Sequence, residues 1–164
     1  FINQLSPDEQ YEYVLDSIAF RVKELAQYSE ERVRRAVSTF LERAQYKKEI
    51  REASEGGEYD YLFSTPEYDS SLLKWKNDET VGPAKPRLLK AIELLETADF
   101  STPDTIKSAI WTYAEEVGKG ELLWPTRISL SGRERSPDPF TLAYILGKEE
   151  TIKRVKSACD KIVV

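Results

Sequence analysis

The chain has 164 residues, of which 40% are apolar and 32% charged, with a net charge of −5 at pH 7. This composition supports a hydrophobic core and excludes a disordered polar chain, and no apolar run reaches the roughly 20 residues of a membrane helix. With no histidine and a single cysteine, Cys159, a Ser-His-Asp triad, an imidazole metal ligand and an internal disulfide are excluded. Glycine-rich phosphate loops are also missing, so we expect no catalytic residue, no metal site and no cofactor in this chain.

The chain contains no methionine, not even at position 1, so we expect it to be a piece of a longer protein. Its first twenty residues have neither the basic start nor the apolar middle of a signal peptide. A chain with one cysteine and no export signal is expected to be cytoplasmic.

Apolar residues recur at helical spacing through nearly the whole chain. A capping box formed by Ser6 and Glu9 predicts the start of a first helix. Ser29 is predicted to cap a second helix that runs to about Ala53. The next stretch, residues 52–60, has paired glycines and no apolar face, which is typical of a linker. Aromatic and apolar residues at its end are expected to anchor the chain in a core: Tyr59, Tyr61, Leu62 and Phe63.

Helical signals continue after the linker. The pattern predicts a short helix near residues 72–76 and a longer one that carries an apolar face over residues 88–95. Thr102, followed by proline, predicts the start of another helix, which Gly118 and Gly120 are expected to stop.

Three more helices are predicted in the C-terminal part. Pro125 is expected to open a short turn of helix that Gly132 closes. Residues 136–139 are expected to open another, stopped by Gly147, and a last helix is expected to carry Ile152, Val155 and Cys159.

No stretch alternates apolar and polar residues with a period of two, so the sequence predicts no strand. We therefore predict an all-α fold of two packed helical subdomains. The linker marks the predicted boundary between them, so the two subdomains are residues 1–55 and 56–164.

Charge is distributed unevenly along the chain. Residues 1–31 carry seven acidic and two basic side chains, whereas residues 32–51 carry seven basic and two acidic ones. A helix with this concentration of basic residues is a candidate binding surface for a polyanion. A cluster of charges by itself, however, is more typical of a solvated helix face.

The segment 124–155 places Arg127 in the first turn of the predicted short helix, ahead of a loop stiffened by Pro137 and Pro139. The guanidinium of an arginine presents several N–H donors in one plane. Beside a rigid backbone, such a group suits the edge of an unpaired RNA base. The alternative is that Arg127 forms a surface ion pair and that the prolines only mark helix ends.

This segment resembles the C-terminal signature of bacterial glutamyl-tRNA synthetases, with Pro-x-Arg, a glycine, a proline-containing loop and Leu-Gly-Lys-Glu. The matching residues are Pro125, Arg127, Leu130, Gly132, Pro137, Phe140, Leu146, Gly147, Lys148 and Glu149. Residues 40–50 and 66–76 also resemble that family's anticodon-binding region, so the resemblance covers nearly the whole chain. The chain departs from the pattern at Thr126, Ser129 and Pro139.

The resemblance implies that the chain is the helical anticodon-binding part of a glutamate–tRNA ligase. The catalytic domain, in the same polypeptide, would use ATP and Mg²⁺ to attach glutamate to tRNA(Glu). Its HIGH- and KMSKS-type motifs are absent here, so this chain alone is expected to be inactive. We expect a monomer that binds RNA, not DNA or a membrane. The alternative is an all-helical protein–protein interaction module with no role in RNA binding.

The resemblance also implies which residues contact the anticodon. Arg127 falls on the Pro-x-Arg arginine, and the loop supplies Ser136, Pro137 and Pro139. Arg43 falls on the position that discriminates tRNA(Glu) from tRNA(Gln), although a surface ion pair is the alternative for this residue. Other basic side chains are candidate phosphate contacts: Lys47, Lys48, Arg51, Arg133 and Arg135. The three tryptophans are predicted to lie in the core or to support the site.

Overall fold

The computed structural model describes residues 4–42 and 46–163, which form eight α-helices and no strand. The all-α prediction is therefore confirmed. In chain order the helices are α1 (Pro7–Val22), α2 (Glu30–Glu42), α3 (Lys47–Glu55), α4 (Ala84–Glu96), α5 (Pro103–Val117), α6 (Lys119–Ser131), α7 (Pro139–Leu146) and α8 (Lys148–Lys161). Two 3₁₀ turns, Asp60–Leu62 and Ser70–Leu73, lie between α3 and α4, and the second replaces the short helix predicted near residues 72–76. Within the described ranges, each helix is too short or too polar to span a membrane.

The chain divides into two compact units, the first ending at Ser64 and the second beginning at Thr65. The linker pattern predicted a boundary after residue 55. The difference arises because the segment after α3 packs into the first unit. The ring of Tyr59 meets Phe40 edge-on, with 4.4 Å between ring centroids, and Asp60 forms an ion pair with Arg21 at 2.6 Å.

Two predicted caps in the first unit are confirmed. The backbone N–H of Glu9 donates to Ser6 Oγ at 3.2 Å, and the N–H of Ser6 donates to Glu9 Oε1 at 3.1 Å. Ser29 Oγ accepts from the N–H of Arg32 at 3.1 Å. These bonds satisfy N–H groups that a helix leaves unpaired at its start.

The prediction of one helix from Ser29 to about Ala53 is wrong. A separate helix, α3, begins at Lys47, because Tyr46 has extended backbone angles (φ −131°, ψ 148°) that cannot continue a helix. The break allows α3 to pack against α1 and to bury Ile50 completely. Two short helices with the same apolar period cannot be told from one long helix by periodicity alone.

The core of the first unit combines residues from its three helices and from the segment that follows them. The predicted anchor is confirmed, since Tyr59, Tyr61, Leu62 and Phe63 are all buried. Burying each such side chain contributes roughly 1.5–3 kcal/mol. The fully buried helix residues are Val14, Ile18, Val22, Val33, Ala36, Phe40 and Ile50.

Helix α6 is central to the second unit, where it packs against α4, α5, α7 and α8. The core between these helices is aliphatic: Leu88, Leu95, Ile106, Ile110, Leu122, Ile128, Leu130, Leu142 and Val155. Leu89, which the period placed on the apolar face of α4, is half exposed. Burial raises the pKa of the Cys159 thiol, whose side chain faces this core.

The prediction that Pro125 opens a short helix is wrong, because Pro125 lies inside α6. Gly118, with φ of +107°, ends α5 and allows α6 to start at the next residue. Gly120 therefore lies in the first turn of α6 and does not stop α5. Arg127 lies beyond the middle of α6, not in the first turn of a short helix.

Three other predicted helix boundaries in this unit are confirmed. Gly132 ends α6 in the left-handed conformation, with φ of +68°. Asp138 caps α7, because its Oδ1 accepts from the N–H groups of Phe140 at 3.0 Å and Thr141 at 2.9 Å. Gly147, with φ of +83°, ends α7 as predicted.

Candidate nucleic-acid interface

A cleft in the second unit brings Arg127 together with two tryptophans and the start of α7. We call it the Arg127 cleft, and its volume is about 300 Å³. The cleft is lined by Trp75, Lys119, Gly120, Leu123, Trp124, Arg127, Asp138 and Pro139.

The aromatic wall of the cleft consists of Trp75 and Trp124, whose ring centroids lie 6.1 Å apart at an angle of 51°. The indole N–H of Trp124 donates to the carbonyl of Leu72 at 2.9 Å, which fixes this ring. Trp75 packs so closely against α6 that only glycine fits at position 120. Both rings are half-buried, so each combines a packed face with an accessible one.

Arg127 is held by contacts on two sides. Its Nη2 donates to the carbonyl of Glu134 at 2.7 Å, and its Cζ lies 5.3 Å from the ring centroid of Trp124. Its Nε is buried and has no hydrogen-bond partner among the described residues. The guanidinium is therefore positioned in advance by the loop carbonyl and by the ring of Trp124.

The loop between α6 and α7 is tied together by serine hydroxyls. Ser131 Oγ donates to Ser136 Oγ at 2.9 Å, and Ser136 Oγ donates to the carbonyl of Arg133 at 3.3 Å. The side chain of Ser136 is buried and engaged inside the loop, so it shapes the loop. Pro139 lines the cleft, whereas half-buried Pro137 is not among the lining residues. Arg135, like Arg133, is exposed on this loop.

A second aromatic–cation cluster lies on α5 and the start of α6. The Nζ atoms of Lys107 and Lys119 lie 4.4 Å and 5.0 Å from the ring centroid of Trp111. Lys119 also lines the Arg127 cleft, so the basic surface continues from the cleft to Trp111. The sequence analysis missed this cluster, although the four-residue spacing of Lys107 and Trp111 places them on one helix face.

Basic residues of the first unit are engaged in ion pairs with neighbouring carboxylates. Lys47 pairs with Asp16, and this hydrogen bond lowers the pKa of the Asp16 carboxyl. Lys48 pairs with Glu52 at 3.8 Å. Arg51 similarly pairs with Glu55 at 3.5 Å. The charges of Lys47, Lys48 and Arg51 are thus balanced locally, but exposed pairs contribute at most about 1 kcal/mol and can exchange for a phosphate. Arg43 lies outside the described residues.

Of the four predicted anticodon residues that the structure describes, Arg127 and Pro139 line one cleft, whereas Ser136 and Pro137 do not. Trp75 also lines it, and this residue was expected only in the core or in support of the site. In the described part of the chain, no group of three or more acidic, cysteine or histidine residues is arranged to hold a metal ion.

Comparisons of this chain with known proteins agree on one family. The family model for an anticodon binding domain matches residues 10–159. The chain is 37% identical over 107 residues to a glutamate–tRNA ligase of Clostridium tetani, covering 63% of this chain and 22% of that protein. It is 26% identical over 168 residues to a glutamate–tRNA ligase of Lachnoclostridium phytofermentans, covering 99% of this chain and 32% of that protein.

Two solved structures have the same fold. A glutamate tRNA ligase from Elizabethkingia meningosepticum, in complex with its amino acid, matches 97% of this chain and 30% of its own, with a TM-score of 0.72 and 24% identity. A glutamate–tRNA synthetase from Elizabethkingia anophelis matches 97% of this chain and 29% of its own, with a TM-score of 0.66 and 25% identity.

The chain therefore spans between 22% and 32% of the length of the two curated relatives. The resemblance to glutamyl-tRNA synthetases that the sequence predicted is confirmed. Because the family model covers nearly all of it, the chain belongs to the anticodon binding domain family.

Proposed function

We propose that the chain is the anticodon-binding part of a glutamate–tRNA ligase and that the Arg127 cleft receives an unpaired anticodon base of tRNA(Glu). The observation that carries the proposal is the position of Arg127, which the carbonyl of Glu134 holds in a cleft walled by two tryptophans. Proteins recognise unpaired RNA bases by stacking them on aromatic rings and by hydrogen bonds to their edges. The cleft offers both kinds of contact.

The proposal includes a larger enzyme, because the curated relatives are glutamate–tRNA ligases several times longer than this chain. Its catalytic domain, in the same polypeptide, binds ATP and Mg²⁺ and attaches glutamate to tRNA(Glu). We propose that the enzyme acts as a monomer in the cytoplasm. The 164-residue chain alone is not expected to activate glutamate, and glutamate-dependent ATP–pyrophosphate exchange by the purified chain would overturn that expectation.

The other candidate residues have different parts in this proposal. Pro139 contacts the base from the side of α7, and Pro137 and Ser136 hold the loop in a shape that fits it. Exposed Arg133 and Arg135 meet the phosphate backbone. Lys47, Lys48 and Arg51 contribute further phosphate contacts by exchanging their carboxylate partners for phosphate groups.

Arg43 is proposed to select tRNA(Glu) over tRNA(Gln). An arginine has donors and no acceptor, so it suits the O2 and N3 acceptors of cytosine, with which glutamate anticodons end. Glutamine anticodons end in guanine, whose corresponding edge presents donors and is disfavoured by about 1–3 kcal/mol. In the full enzyme, Arg43→Gln should relax the preference for tRNA(Glu), measured as kcat/KM for both tRNAs. Equal charging of both tRNAs by the unaltered enzyme, or an unchanged ratio in the variant, would show that Arg43 is only a surface charge.

Direct binding to RNA tests the proposed function. The 164-residue chain is titrated into a labelled anticodon stem-loop of tRNA(Glu), and fluorescence anisotropy reports the affinity. A competitor has the same stem and an altered loop, so that it matches the charge of the first RNA but not its unpaired bases. We expect binding that the altered loop competes for poorly. No binding, or equal competition by the altered loop, would contradict the proposal and favour the protein–protein interaction module.

A further inference from the structure

We propose that a second unpaired nucleotide of the bound RNA stacks on Trp111, outside the Arg127 cleft, while Lys107 and Lys119 bind the phosphate groups beside it. We call these three residues the Trp111 platform. The platform holds a nucleotide by its ring face and its charge and does not select the base. This inference rests on the proposed function, since it extends the path of the RNA from the cleft onto α5.

The two lysines of the platform have no counter-charge in the protein. Both side chains are exposed, and their Nζ atoms lie 4.4 Å (Lys107) and 5.0 Å (Lys119) from the ring centroid of Trp111. Within the described residues, neither ammonium group forms an ion pair or a hydrogen bond. Two positive charges held beside one ring, without a carboxylate at ion-pair distance, favour the binding of an anion.

The ring of Trp111 is held in place on one side only. It is half-buried, and it packs against the buried ring of Phe140 with 6.4 Å between the centroids and an angle of 63°. The lysines cover the rest of the ring with flexible, exposed side chains, which can move aside for a base while their charges stay beside it. An aromatic face next to positive charge is the combination by which proteins bind single-stranded nucleic acid.

The platform adjoins the Arg127 cleft in two places. Lys119 belongs to both, since it lines the cleft and also covers the ring of Trp111. Phe140, which contacts Trp111, directly follows Pro139 of the cleft lining in the chain. An RNA strand with one base in the cleft therefore brings a neighbouring nucleotide to the platform.

The platform is expected to accept any base. Stacking on an aromatic ring tolerates sequence, because every base has a π face. Lysine places a point charge on a flexible stem, which suits a phosphate and lacks the fixed geometry that arginine offers to a base edge. Contacts with phosphate position the RNA without reading its sequence.

Trp111→Leu tests the stacking contact, with the anticodon stem-loop of tRNA(Glu) as the RNA and urea unfolding to verify that each variant is folded. We expect the affinity to fall about 5- to 100-fold, as for the loss of one stacked base. Trp111→Phe keeps an aromatic face and should retain most of the affinity. Tyr113→Leu is the matched control, because two residues along a helix are rotated by about 200° and Tyr113 lies on another side of α5.

Abasic nucleotides, placed one at a time through the loop, supply a second measurement. With the unaltered chain, one abasic position should mark the base in the cleft and another the base on the platform. The effect of the second should disappear in Trp111→Leu, because the stacked pair is already broken, and should persist in Arg127→Gln. Exchanging the platform base for any other base should leave the affinity within about twofold.

The salt dependence of binding separates the lysines from the ring. Lys107→Gln should reduce the slope of log K against log salt by about 0.7. Trp111→Leu should weaken binding without a change of slope, since it removes no charge. Lys90→Gln is the control, because Lys90 pairs with Glu93 at 3.2 Å. An unchanged slope in Lys107→Gln would overturn the phosphate contact.

The inference and the proposed function fail in different ways. If Arg127→Gln weakens binding but folded Trp111→Leu binds like Tyr113→Leu, or if no abasic position loses its effect in Trp111→Leu, only the platform is wrong. Equal losses in Trp111→Leu and Trp111→Phe would also overturn it, since the aromatic face would not matter. If the altered loop competes equally and Arg127→Gln has no effect, the proposed function is wrong.

Discussion

Gly120 and Trp75 are in such close contact that the indole ring occupies the space where any side chain at position 120 would begin. A Cβ atom there would lie 2.5 Å from Cε2 of Trp75. Trp75 follows the 3₁₀ turn Ser70–Leu73, and Gly120 lies in the first turn of α6. Their contact joins two distant parts of the chain and forms one wall of the Arg127 cleft.

Gly120→Ala is expected to destabilise the protein by up to about 2 kcal/mol. Alanine has a helix propensity about 1 kcal/mol better than glycine, but overpacking against the ring costs about 1–3 kcal/mol and displaces Trp75. The measurement is urea unfolding, followed by tryptophan fluorescence. Gly56→Ala is the control, because its nearest atoms would be 3.6 Å from the new Cβ. If Gly120→Ala is as stable as Gly56→Ala, the ring of Trp75 does not depend on this glycine.

Arg154 is the buried charge of the second unit, with a side chain only 2% exposed. Its Nε donates to Glu150 Oε2 at 2.7 Å, and its Nη1 donates to the carbonyl of Leu130 at 2.7 Å. Arg154→Met should destabilise the protein by about 3 kcal/mol, because the partly buried carboxylate of Glu150 and the buried carbonyl of Leu130 lose their donor. Arg51→Met, which removes an exposed pair with Glu55, should change stability by less than about 0.5 kcal/mol. Equal effects of the two substitutions in urea unfolding would contradict the conclusion that Arg154 is a buried, stabilising charge.

We expect the buried hydroxyl of Tyr68 to make the stability of the protein depend on pH in the alkaline range. Burial raises the pKa of its hydroxyl to about 12, above the ordinary value of about 10. Because the folded state holds this proton more tightly, the contribution to stability is complete below about pH 10 and is lost as the pH rises towards 12.

Tyr68→Phe should therefore reduce the loss of stability between about pH 10 and 12. It should not destabilise the protein at neutral pH, since the buried hydroxyl has no hydrogen-bond partner within the described ranges. Tyr46→Phe, at an exposed tyrosine, is the control and should leave the pH profile unchanged. Identical profiles for Tyr68→Phe and the unaltered protein would show that the Tyr68 hydroxyl does not cause the dependence.

Lys119 links the Arg127 cleft to the ring of Trp111, and we expect it to contact an RNA phosphate. Lys119→Gln should weaken binding of the anticodon stem-loop and reduce the slope of log K against log salt by about 0.7. Lys90→Gln is the control, because Lys90 pairs with Glu93 on α4 at 3.2 Å and lies outside the cleft lining. The same salt slope in both variants would show that Lys119 makes no phosphate contact.

Local sequence signals predicted the helix starts at Ser6, Ser29 and Thr102, because a cap involves residues within three positions of each other. The interior position of Pro125 and the separate start of α3 after Tyr46 could not be predicted in this way. Both depend on packing between helices that are distant in the sequence. The apolar period is the same whether one helix or two produce it.

The candidate site was predictable to the extent that it follows a motif. Arg127 and Pro139 belong to the Pro-x-Arg signature and its loop, and both line the cleft. Trp75 lies in residues 66–76, which resemble the family's anticodon-binding region, but its contact with Gly120 spans 45 residues of sequence. No spacing rule connects two such residues, so the aromatic wall appears only in the folded chain.

Arg127→Gln tests most directly whether the cleft binds an anticodon base. The affinity of the unaltered chain and of the variant for the anticodon stem-loop of tRNA(Glu) is measured at one salt concentration, with urea unfolding to verify that both are folded. Because a hydrogen bond from a charged donor is worth about 1.5–3 kcal/mol, we expect the variant to bind roughly 10- to 150-fold more weakly. A folded variant that binds the RNA within about twofold of the unaltered chain would contradict a role for Arg127 in base recognition.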